Sequence, residues 1–322
     1  MHARAFEQAM LIAARLPPCE GHLQHIGKAK PVMPTTPAQP ATLEIEAADA
    51  YCRALTTGHY ENFSVASAFV GGRKRLDLMR IYAFCRTTDD LGDEHPGSDP
   101  IGRLERWRAD LAALFQGNQP IHPVLIALRE TVEHYGLPSQ PFLDLIAANV
   151  QDQSVKTYAE WPELEAYCML SAAPVGRMVL GVFGIDNAQA QSLSDDVCVA
   201  LQLANHAQDV SRDAAIGRSY LLQSEIRAGD PANAVKGLVM RARHLLDSGK
   251  RLEPMAPGTL RLQLALYRLG GLAICDAIER VGYRTDRTRP SVSTATKISL
   301  ALRVPFMLAR GSKHDAPVAA NT

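Results

Sequence analysis

Apolar residues recur every three to four positions along most of the chain from about residue 44 onwards. This spacing places them on one face of an α-helix. Short polar, proline-rich or glycine-rich gaps separate successive stretches, as is typical of helical bundles. Strand-like alternation of apolar and polar residues is not evident in the sequence. We therefore predict an all-α protein with a single-domain helix bundle.

The boundaries of the predicted helices follow from glycine, proline and polar residues at their ends. The pattern predicts helices over residues 45–56, 73–93, 101–115, 123–135, 140–153, 161–184, 194–213, 231–251 and 259–282. Pro174 lies inside one of them, and we expect a kink there because proline lacks the backbone N–H of a helical hydrogen bond. A last stretch, 292–311, is basic and partly apolar.

The first 45 residues differ in composition from the rest. Repeated prolines and small residues follow a short amphipathic segment, and such a sequence cannot bury enough apolar surface to fold by itself. We predict a disordered N-terminal extension over 1–45, or a start placed too far upstream. One domain is expected over 46–305 and a flexible C-terminal tail over 306–322.

Composition excludes several classes of protein. Hydrophobic residues make up 47% of the 322 residues and the formal net charge is zero, so no overall field attracts nucleic acid. The six cysteines are dispersed without a C-x-x-C pair, which indicates reduced thiols buried in helices, a cytoplasmic location and no zinc site. No apolar run reaches the length that spans a bilayer.

An acidic motif follows an apolar helical stretch directly, over residues 81–94. On a helix, Asp89 and Asp93 are one turn apart, so that their carboxylates lie on the same face. Such a pair suits Mg²⁺, which keeps several waters and shares its remaining positions with phosphate oxygens. Taken alone, the motif is more typical of an acidic helix end that faces solvent.

A second polar stripe changes that interpretation. Asn205, Asp209 and Asp213 recur at four-residue steps beside apolar residues, and such groups are costly to bury without a ligand. Two facing aspartate pairs could hold Mg²⁺ ions bridged by a diphosphate, whose carbon–oxygen bond would then ionise. Arg86 and Arg218 are placed to bind the remaining diphosphate oxygens.

At these motifs the chain resembles the squalene/phytoene synthase family of trans-isoprenyl diphosphate synthases. Within that family it is most similar to the hydroxysqualene synthases of bacterial hopanoid biosynthesis, the HpnC subgroup. The segments that carry the resemblance are 62–67, 82–94, 167–177, 208–213, 217–221 and 270–283, and the match covers about residues 49–305. The resemblance implies an isoprenoid-synthase-like bundle with a deep central cavity and two facing Asp-rich helices.

The resemblance also implies roles for individual residues. Four aspartates would be catalytic and would bind Mg²⁺, the implied cofactor: Asp89, Asp93, Asp209 and Asp213. Seven further residues would bind substrate: Tyr82, Arg86, Asp90, Gln202, Asn205, Arg218 and Tyr220. The implied substrate is presqualene diphosphate, which ionises to a cyclopropylcarbinyl cation that rearranges and is captured by water as hydroxysqualene.

Departures from the subgroup leave the substrate and product open. His206 and Ala207 stand where the subgroup has two aromatic residues, while Ser64 and Leu222 replace prolines. Fewer aromatic rings would change the volume of the cavity and the cation–π support of a carbocation.

Two alternatives remain beside hydroxysqualene synthesis. One is head-to-head condensation of two farnesyl diphosphates into presqualene diphosphate or squalene. The other is a non-catalytic assembly scaffold, which the four retained aspartates disfavour. The expected partners are a prenyl diphosphate, other enzymes of squalene synthesis and no nucleic acid. The basic C-terminal stretch fits either peripheral contact with the inner membrane or a solvated helix face.

Overall fold

The fold is built from α-helices joined by short connections. The computed structural model describes residues 40–57, 70–93, 99–227 and 229–311, with side chains from Glu44 to Val304. Its helices are α1 Pro40–Thr57, α2 Gly72–Gly92, α3 Pro100–Phe115, α4 Pro123–Tyr135, α5 Gln140–Ser154, α6 Trp161–Ser171, α7 Ala173–Val182, α8 Ala188–Gln208, α9 Val210–Ala215, α10 Gln223–Arg227, α11 Pro231–Gly249, α12 Gly258–Arg280 and α13 Thr294–Gly311. A 3₁₀ turn, Lys250–Met255, connects α11 to α12. The predicted all-α, single-domain class is confirmed.

Most helices begin at the signals that the sequence carries. The side chain of Asp99 accepts a hydrogen bond from the N–H of Gly102 at 2.9 Å, with proline at the next position. The side chain of Asp230 likewise accepts a hydrogen bond from the N–H of Ala232 at 3.0 Å. Such caps satisfy N–H groups that have no partner inside the helix. Helix α4 ends at Gly136, whose φ of 61° suits glycine.

The structure corrects several predicted boundaries. Helix α1 begins at Pro40 rather than at residue 45, and the short helix α10 was not predicted. The predicted helix 161–184 divides at Ala172, where φ is −122° and ψ is −48°, because Pro174 cannot donate the next helical hydrogen bond. Helix α13 continues to Gly311, into residues predicted as a flexible tail.

Some predictions fall on residues that the structure does not describe. These are the extension before Pro40, the motif at 62–67, Glu94 and residues 312–322. Among the helices described, none is both long and apolar enough to span a bilayer. The five described cysteines carry free thiols, and burial raises the pKa of the Cys52 thiol to about 12.

The N-terminal half packs around a cluster of aromatic rings. Phe84 of α2 lies 5.4 Å from the Trp107 ring and 5.1 Å from the Phe142 ring. The Trp107 indole N–H donates to the Thr88 hydroxyl at 2.9 Å. These contacts hold the C-terminal part of α2, which carries the first acidic motif, against α3 and α5.

The C-terminal half packs around α8, which contacts α7, α11 and α12. Ala200 and Ala204 on α8 are fully buried. A Cβ atom at Gly271 of α12 would lie 2.8 Å from a Leu201 methyl carbon, so glycine permits the close approach of these helices. This packing positions the end of α8, where the second acidic motif lies.

A buried polar cluster joins α1, α2 and α4. The Arg80 guanidinium donates to both oxygens of Asp49, at 2.8 and 2.9 Å. Asp77 accepts hydrogen bonds from the hydroxyls of Thr131 at 2.8 Å and Tyr135 at 2.9 Å. The cluster therefore anchors α1 to the helix that carries the first acidic motif.

Removing one member of this cluster should destabilise the protein. We expect Asp49→Ala to lower the free energy of unfolding by about 3 kcal/mol, because Arg80 would lose its bidentate partner inside the protein. Urea denaturation followed by circular dichroism measures the change. The matched control is Glu46→Ala on the exposed face of α1, which should change stability by less than about 0.5 kcal/mol. Equal losses in both variants would contradict the proposed anchoring.

Candidate active site

The first acidic motif lies at the end of α2. Asp93 is the C-cap residue, and its N–H donates to the Asp89 carbonyl at 2.9 Å. Asp89 is 3% exposed, whereas Asp93 is exposed. The two residues are one turn apart as predicted, but Asp93 follows the last helical residue.

Other predicted residues of α2 have partners within the same helix or lie in the core. Arg86 forms an ion pair with Asp90, with 2.8 Å between Nη2 and Oδ1. Their side chains are 22% and 44% exposed, so the pair faces partly towards solvent. Tyr82 is fully buried. A diphosphate at Arg86 would have to compete with the Asp90 carboxylate.

Helix α5 orients Asp89 through a residue that sequence analysis missed. The Asn149 side-chain N–H group donates to Asp89 Oδ1 at 3.2 Å and to the Leu145 carbonyl at 3.1 Å. A Cβ atom at Gly92 would lie 2.5 Å from Asn149 Oδ1, so glycine leaves room for this amide. The Gln153 amide also donates to the Gly92 carbonyl at 2.9 Å. The available signal was that Asn149, Asp152 and Gln153 follow the apolar stretch of this helix and lie three to four positions apart.

The second acidic motif spans a break between two helices. The predicted single helix 194–213 is wrong in this detail, because α8 ends at Gln208 and Asp209 has φ of −98° and ψ of 16°. The Asp209 N–H still donates to the Asn205 carbonyl at 2.8 Å, and the Asp213 N–H to the Asp209 carbonyl at 2.9 Å. The four-residue phase therefore continues across the break. Aspartate is a weak helix former, which favours the break at this position.

The stripe is buried and contains unpaired polar atoms. Gln202 is 2% exposed, Asn205 and Asp209 are 8% exposed, and Asp213 is 7% exposed. Within the part of the chain that the structure describes, the side-chain oxygen of Gln202 and both polar side-chain atoms of Asn205 have no hydrogen-bond partner. Each such buried atom costs about 1–3 kcal/mol relative to a satisfied one. A polar ligand beside the stripe would remove this cost.

An aromatic stack packs against the same stripe. The Tyr220 ring lies 3.7 Å from the His206 ring, with 18° between their planes. The Tyr167 hydroxyl is 3.4 Å from the Tyr220 hydroxyl and donates to Asp152 Oδ2 at 3.1 Å. Burial raises the pKa of both Tyr167 and Tyr220 well above the ordinary value. Both hydroxyls therefore remain protonated donors at neutral pH.

The loop after the second motif is joined to the connection that follows α5. Arg218 donates to the Asp152 carbonyl at 3.2 Å, and its Nη1 lies 3.5 Å from Asp152 Oδ2. The Ser219 N–H donates to the Lys156 carbonyl at 2.8 Å. Because Asn149 of the same helix donates to Asp89, one turn of α5 contacts the first acidic motif and also Arg218 in the loop that follows the second motif. Asp152 had not been identified from the sequence.

One residue of the motifs quoted for the resemblance has a structural partner elsewhere. Arg177 of α7 donates to both oxygens of Asp195 on α8, at 3.0 and 2.8 Å. This ion pair joins the two helices beyond the break at Ala172. The ion pair with Asp195 gives Arg177 a structural role, so its presence in the sequence does not require a catalytic one.

The carboxylates of the two acidic motifs are compatible with Mg²⁺ that is bound jointly by the protein and a substrate phosphate. Within the described residues, no three His, Cys, Asp or Glu side chains converge to hold a metal ion by themselves. Mg²⁺ is usually bound by one or two carboxylates and completes its coordination with water and phosphate oxygens. Each motif offers carboxylates of this kind, so the residues fit a cation that a substrate phosphate also binds.

Comparison with known families decides the relationship. The family model described as "Squalene/phytoene synthase" matches residues 56–296. The chain belongs to the squalene/phytoene synthase family. It is therefore related to enzymes of isoprenoid biosynthesis that act on prenyl diphosphates.

Relatives within the squalene/phytoene synthase family make different products. Hydroxysqualene synthase of Rhodopseudomonas palustris is 32% identical over 235 residues, covering 68% of this chain and 76% of that protein. 15-cis-Phytoene synthase of Synechocystis sp. is 30% identical over 308 residues, covering 86% and 89%. The crystal structure of squalene synthase HpnC from Alicyclobacillus acidocaldarius superposes with a TM-score of 0.71 at 43% identity, covering 75% and 96%. These likenesses establish the fold and the kind of reaction.

The space beside Asn149 can be tested by filling it. We expect Gly92→Ala to lower the free energy of unfolding by about 1–3 kcal/mol, because the new methyl group would displace the Asn149 amide from Asp89. Urea denaturation measures the loss. Gly258→Ala is the matched control, since nothing lies within 4 Å of a Cβ atom there. A Gly92→Ala protein as stable as this control would refute the close contact.

The buried tyrosines predict a pH dependence. Their folded-state pKa values are raised, so their contribution to stability is complete below pH ~10, the pKa of an unfolded tyrosine, and is lost as pH rises above it. We expect the free energy of unfolding to fall more steeply above pH ~10 in the wild type than in Tyr167→Phe. Urea titrations at several alkaline pH values measure both slopes. Identical slopes would show that Tyr167 does not contribute.

Proposed function

We propose that the chain is a Mg²⁺-dependent hydroxysqualene synthase of hopanoid biosynthesis, which converts presqualene diphosphate and water to hydroxysqualene and diphosphate. The observation that carries the proposal is that one turn of α5 contacts Asp89 of the first acidic motif and Arg218, which follows the second motif. Among the described residues, the Gln202 side-chain oxygen and both polar side-chain atoms of Asn205 are buried without a hydrogen-bond partner. They support the proposal because a polar ligand beside Asp209 would satisfy them. The likeness to a hydroxysqualene synthase and to the HpnC structure favours this member of the family.

The proposed site assigns a role to each polar group. Asp89, Asp93, Asp209 and Asp213 would hold Mg²⁺, whose chemistry when bound is to neutralise the diphosphate and so assist ionisation of the carbon–oxygen bond. Asn149 orients Asp89 through the 3.2 Å hydrogen bond. The Gln202 and Asn205 amides would donate to or accept from the diphosphate and its water. Arg218, held beside Asp152, would bind a diphosphate oxygen.

The proposed reaction is balanced by water. The carbon–oxygen bond of presqualene diphosphate breaks, and diphosphate leaves with the electron pair. After rearrangement, a water oxygen forms the new carbon–oxygen bond and loses one proton. No reductant is consumed. The aromatic stack of Tyr158, Tyr167, Tyr220 and His206 offers π faces that favour a nearby cation.

A direct assay distinguishes the candidate functions. The purified chain is incubated with Mg²⁺ and either presqualene diphosphate or farnesyl diphosphate, without NADPH, and the lipid products are identified by mass spectrometry. We expect hydroxysqualene from presqualene diphosphate alone. Consumption of farnesyl diphosphate supplied alone would instead support head-to-head condensation. No turnover of either substrate by folded protein would support the scaffold alternative.

Single substitutions in the two motifs test the proposed metal ligands. We expect Asp89→Asn and Asp209→Asn each to lower kcat at least about 100-fold, because each removes a charge that holds the diphosphate-binding cation. Steady-state kinetics over a range of Mg²⁺ concentrations measure the effect. Asp247→Asn is the control, since Asp247 is exposed on α11 and lies outside both motifs. Full activity in either motif variant would refute its assignment as a ligand.

Contact of helix α13 with the inner membrane stays a prediction. Val304 of α13 is buried against Ala265 and Leu266 of α12, while Leu302 is 56% exposed. The exposed side of α13 could contact a membrane surface or water. Binding to vesicles that contain anionic lipid would separate the two.

A further inference from the structure

The chain after α12 contacts the second acidic motif through Arg289 and Pro290. The Arg289 guanidinium donates to both carboxylate oxygens of Asp209, through Nε to Oδ1 and through Nη2 to Oδ2 at 3.4 Å. Nη2 also donates to the side-chain oxygen of Gln208 at 3.2 Å. Arg289 and Asp209 are 80 positions apart in the sequence, and nothing in the family motifs pointed to this contact.

The backbone beside Arg289 is held independently of its side chain. The Gln208 amide N–H group donates to the Pro290 carbonyl at 2.7 Å, and Gln208 is 4% exposed. The Arg289 side chain, in contrast, is 26% exposed. The guanidinium can therefore move away from Asp209 while the segment itself stays in place.

The buried carboxylate of Asp209 requires a positively charged partner. Asp209 is buried on the same stripe as Asp213, and neighbouring buried carboxylates repel each other. Arg212 lies 3.8 Å from Asp209 but is 58% exposed, so its charge is largely screened by water. Arg289 is the closer and less exposed counter-ion. A divalent cation bound to the same carboxylate oxygens would repel the guanidinium and take over its role.

We propose that Arg289 exchanges with the divalent cation at Asp209 and then binds the diphosphate. Before the cation binds, the guanidinium neutralises Asp209. Once the cation occupies the carboxylate, the displaced guanidinium binds the diphosphate oxygens that the cation also contacts, in the bidentate geometry that arginine favours with phosphate. This inference rests on the proposed function, because it requires a cation and a diphosphate at the second motif.

Cation binding without substrate tests the exchange. Mn²⁺ serves as the probe and its binding is measured by electron paramagnetic resonance, for the wild type, Arg289→Gln, Arg289→Lys and Arg287→Gln. Arg287 is the matched control, since its side chain is 74% exposed and lies 3.8 Å from Asp286. We expect Arg289→Gln to bind Mn²⁺ about tenfold more tightly than the wild type, because the competing charge is gone. Arg289→Lys, which keeps the charge, should fall between them, and Arg287→Gln should match the wild type.

Diphosphate binding supplies the second half of the test. At saturating Mn²⁺, we expect Arg289→Gln to bind inorganic pyrophosphate about tenfold more weakly than the wild type in calorimetric titrations. Unchanged or weaker Mn²⁺ binding in Arg289→Gln would overturn the exchange. Unchanged pyrophosphate binding would overturn the transfer of the guanidinium to the diphosphate.

Thermal melting separates exchange from a purely structural role. Without divalent cation, Arg289→Gln should melt at a lower temperature than the wild type, and saturating Mn²⁺ should close this gap because the cation replaces the lost charge. A gap that persists at saturating Mn²⁺ would show that Arg289 only fastens the segment, which overturns the proposal. If the wild type neither binds Mn²⁺ nor turns over a prenyl diphosphate, the proposed function fails as well. If it does both and Arg289→Gln binds Mn²⁺ like the wild type, the exchange alone fails.

Discussion

Helix α5 contacts Asp89 of the first acidic motif and Arg218, which follows the second motif, through polar side chains less than one turn apart. Asn149 donates to Asp89, while Asp152 accepts from Tyr167 and lies beside Arg218. The rise of a helix places residues 149 and 152 about 4.5 Å apart along its axis. Both contacts are buried, where an unpaired charge or amide would be costly. One short stretch of a single helix therefore links the first motif to Arg218, whose backbone N–H donates to the Asp213 carbonyl of the second motif at 2.9 Å.

Some polar side chains of the second motif have hydrogen-bond or ion-pair partners in the described structure, and others do not. Asp209 has Arg289 as a counter-ion, and Tyr220 is stacked on His206. Both side-chain polar atoms of Asn205, in contrast, lack a hydrogen-bond partner among the residues that the structure describes. Stable cores seldom keep such groups unless a ligand completes them. In a family that acts on prenyl diphosphates, a cation and a diphosphate are ligands of suitable charge and hydrogen-bonding capacity.

His206 shows how tertiary contacts change the meaning of a departure from a motif. From the sequence, a histidine in place of an aromatic residue suggested lost ring surface beside the second motif. In the structure its ring lies 3.7 Å from the Tyr220 ring, nearly parallel to it. His206 therefore still contributes a flat ring to the stack beside the second motif, since imidazole can stack as other rings do.

Local patterns were sufficient to place most of the helices and the four-residue spacing of the acids, because helical spacing and capping act over a few residues. They did not predict α10 or the breaks at Ala172 and Asp209. Helix α4 has the predicted bounds, and the four-residue phase of Asn205, Asp209 and Asp213 continues across an unpredicted break. The partners of those acids were decided only by the tertiary structure. Asn149 is 60 positions from Asp89, and Arg289 is 80 positions from Asp209. Such pairs form because packing brings distant buried groups together and burial requires that their charges be met, which no local spacing expresses.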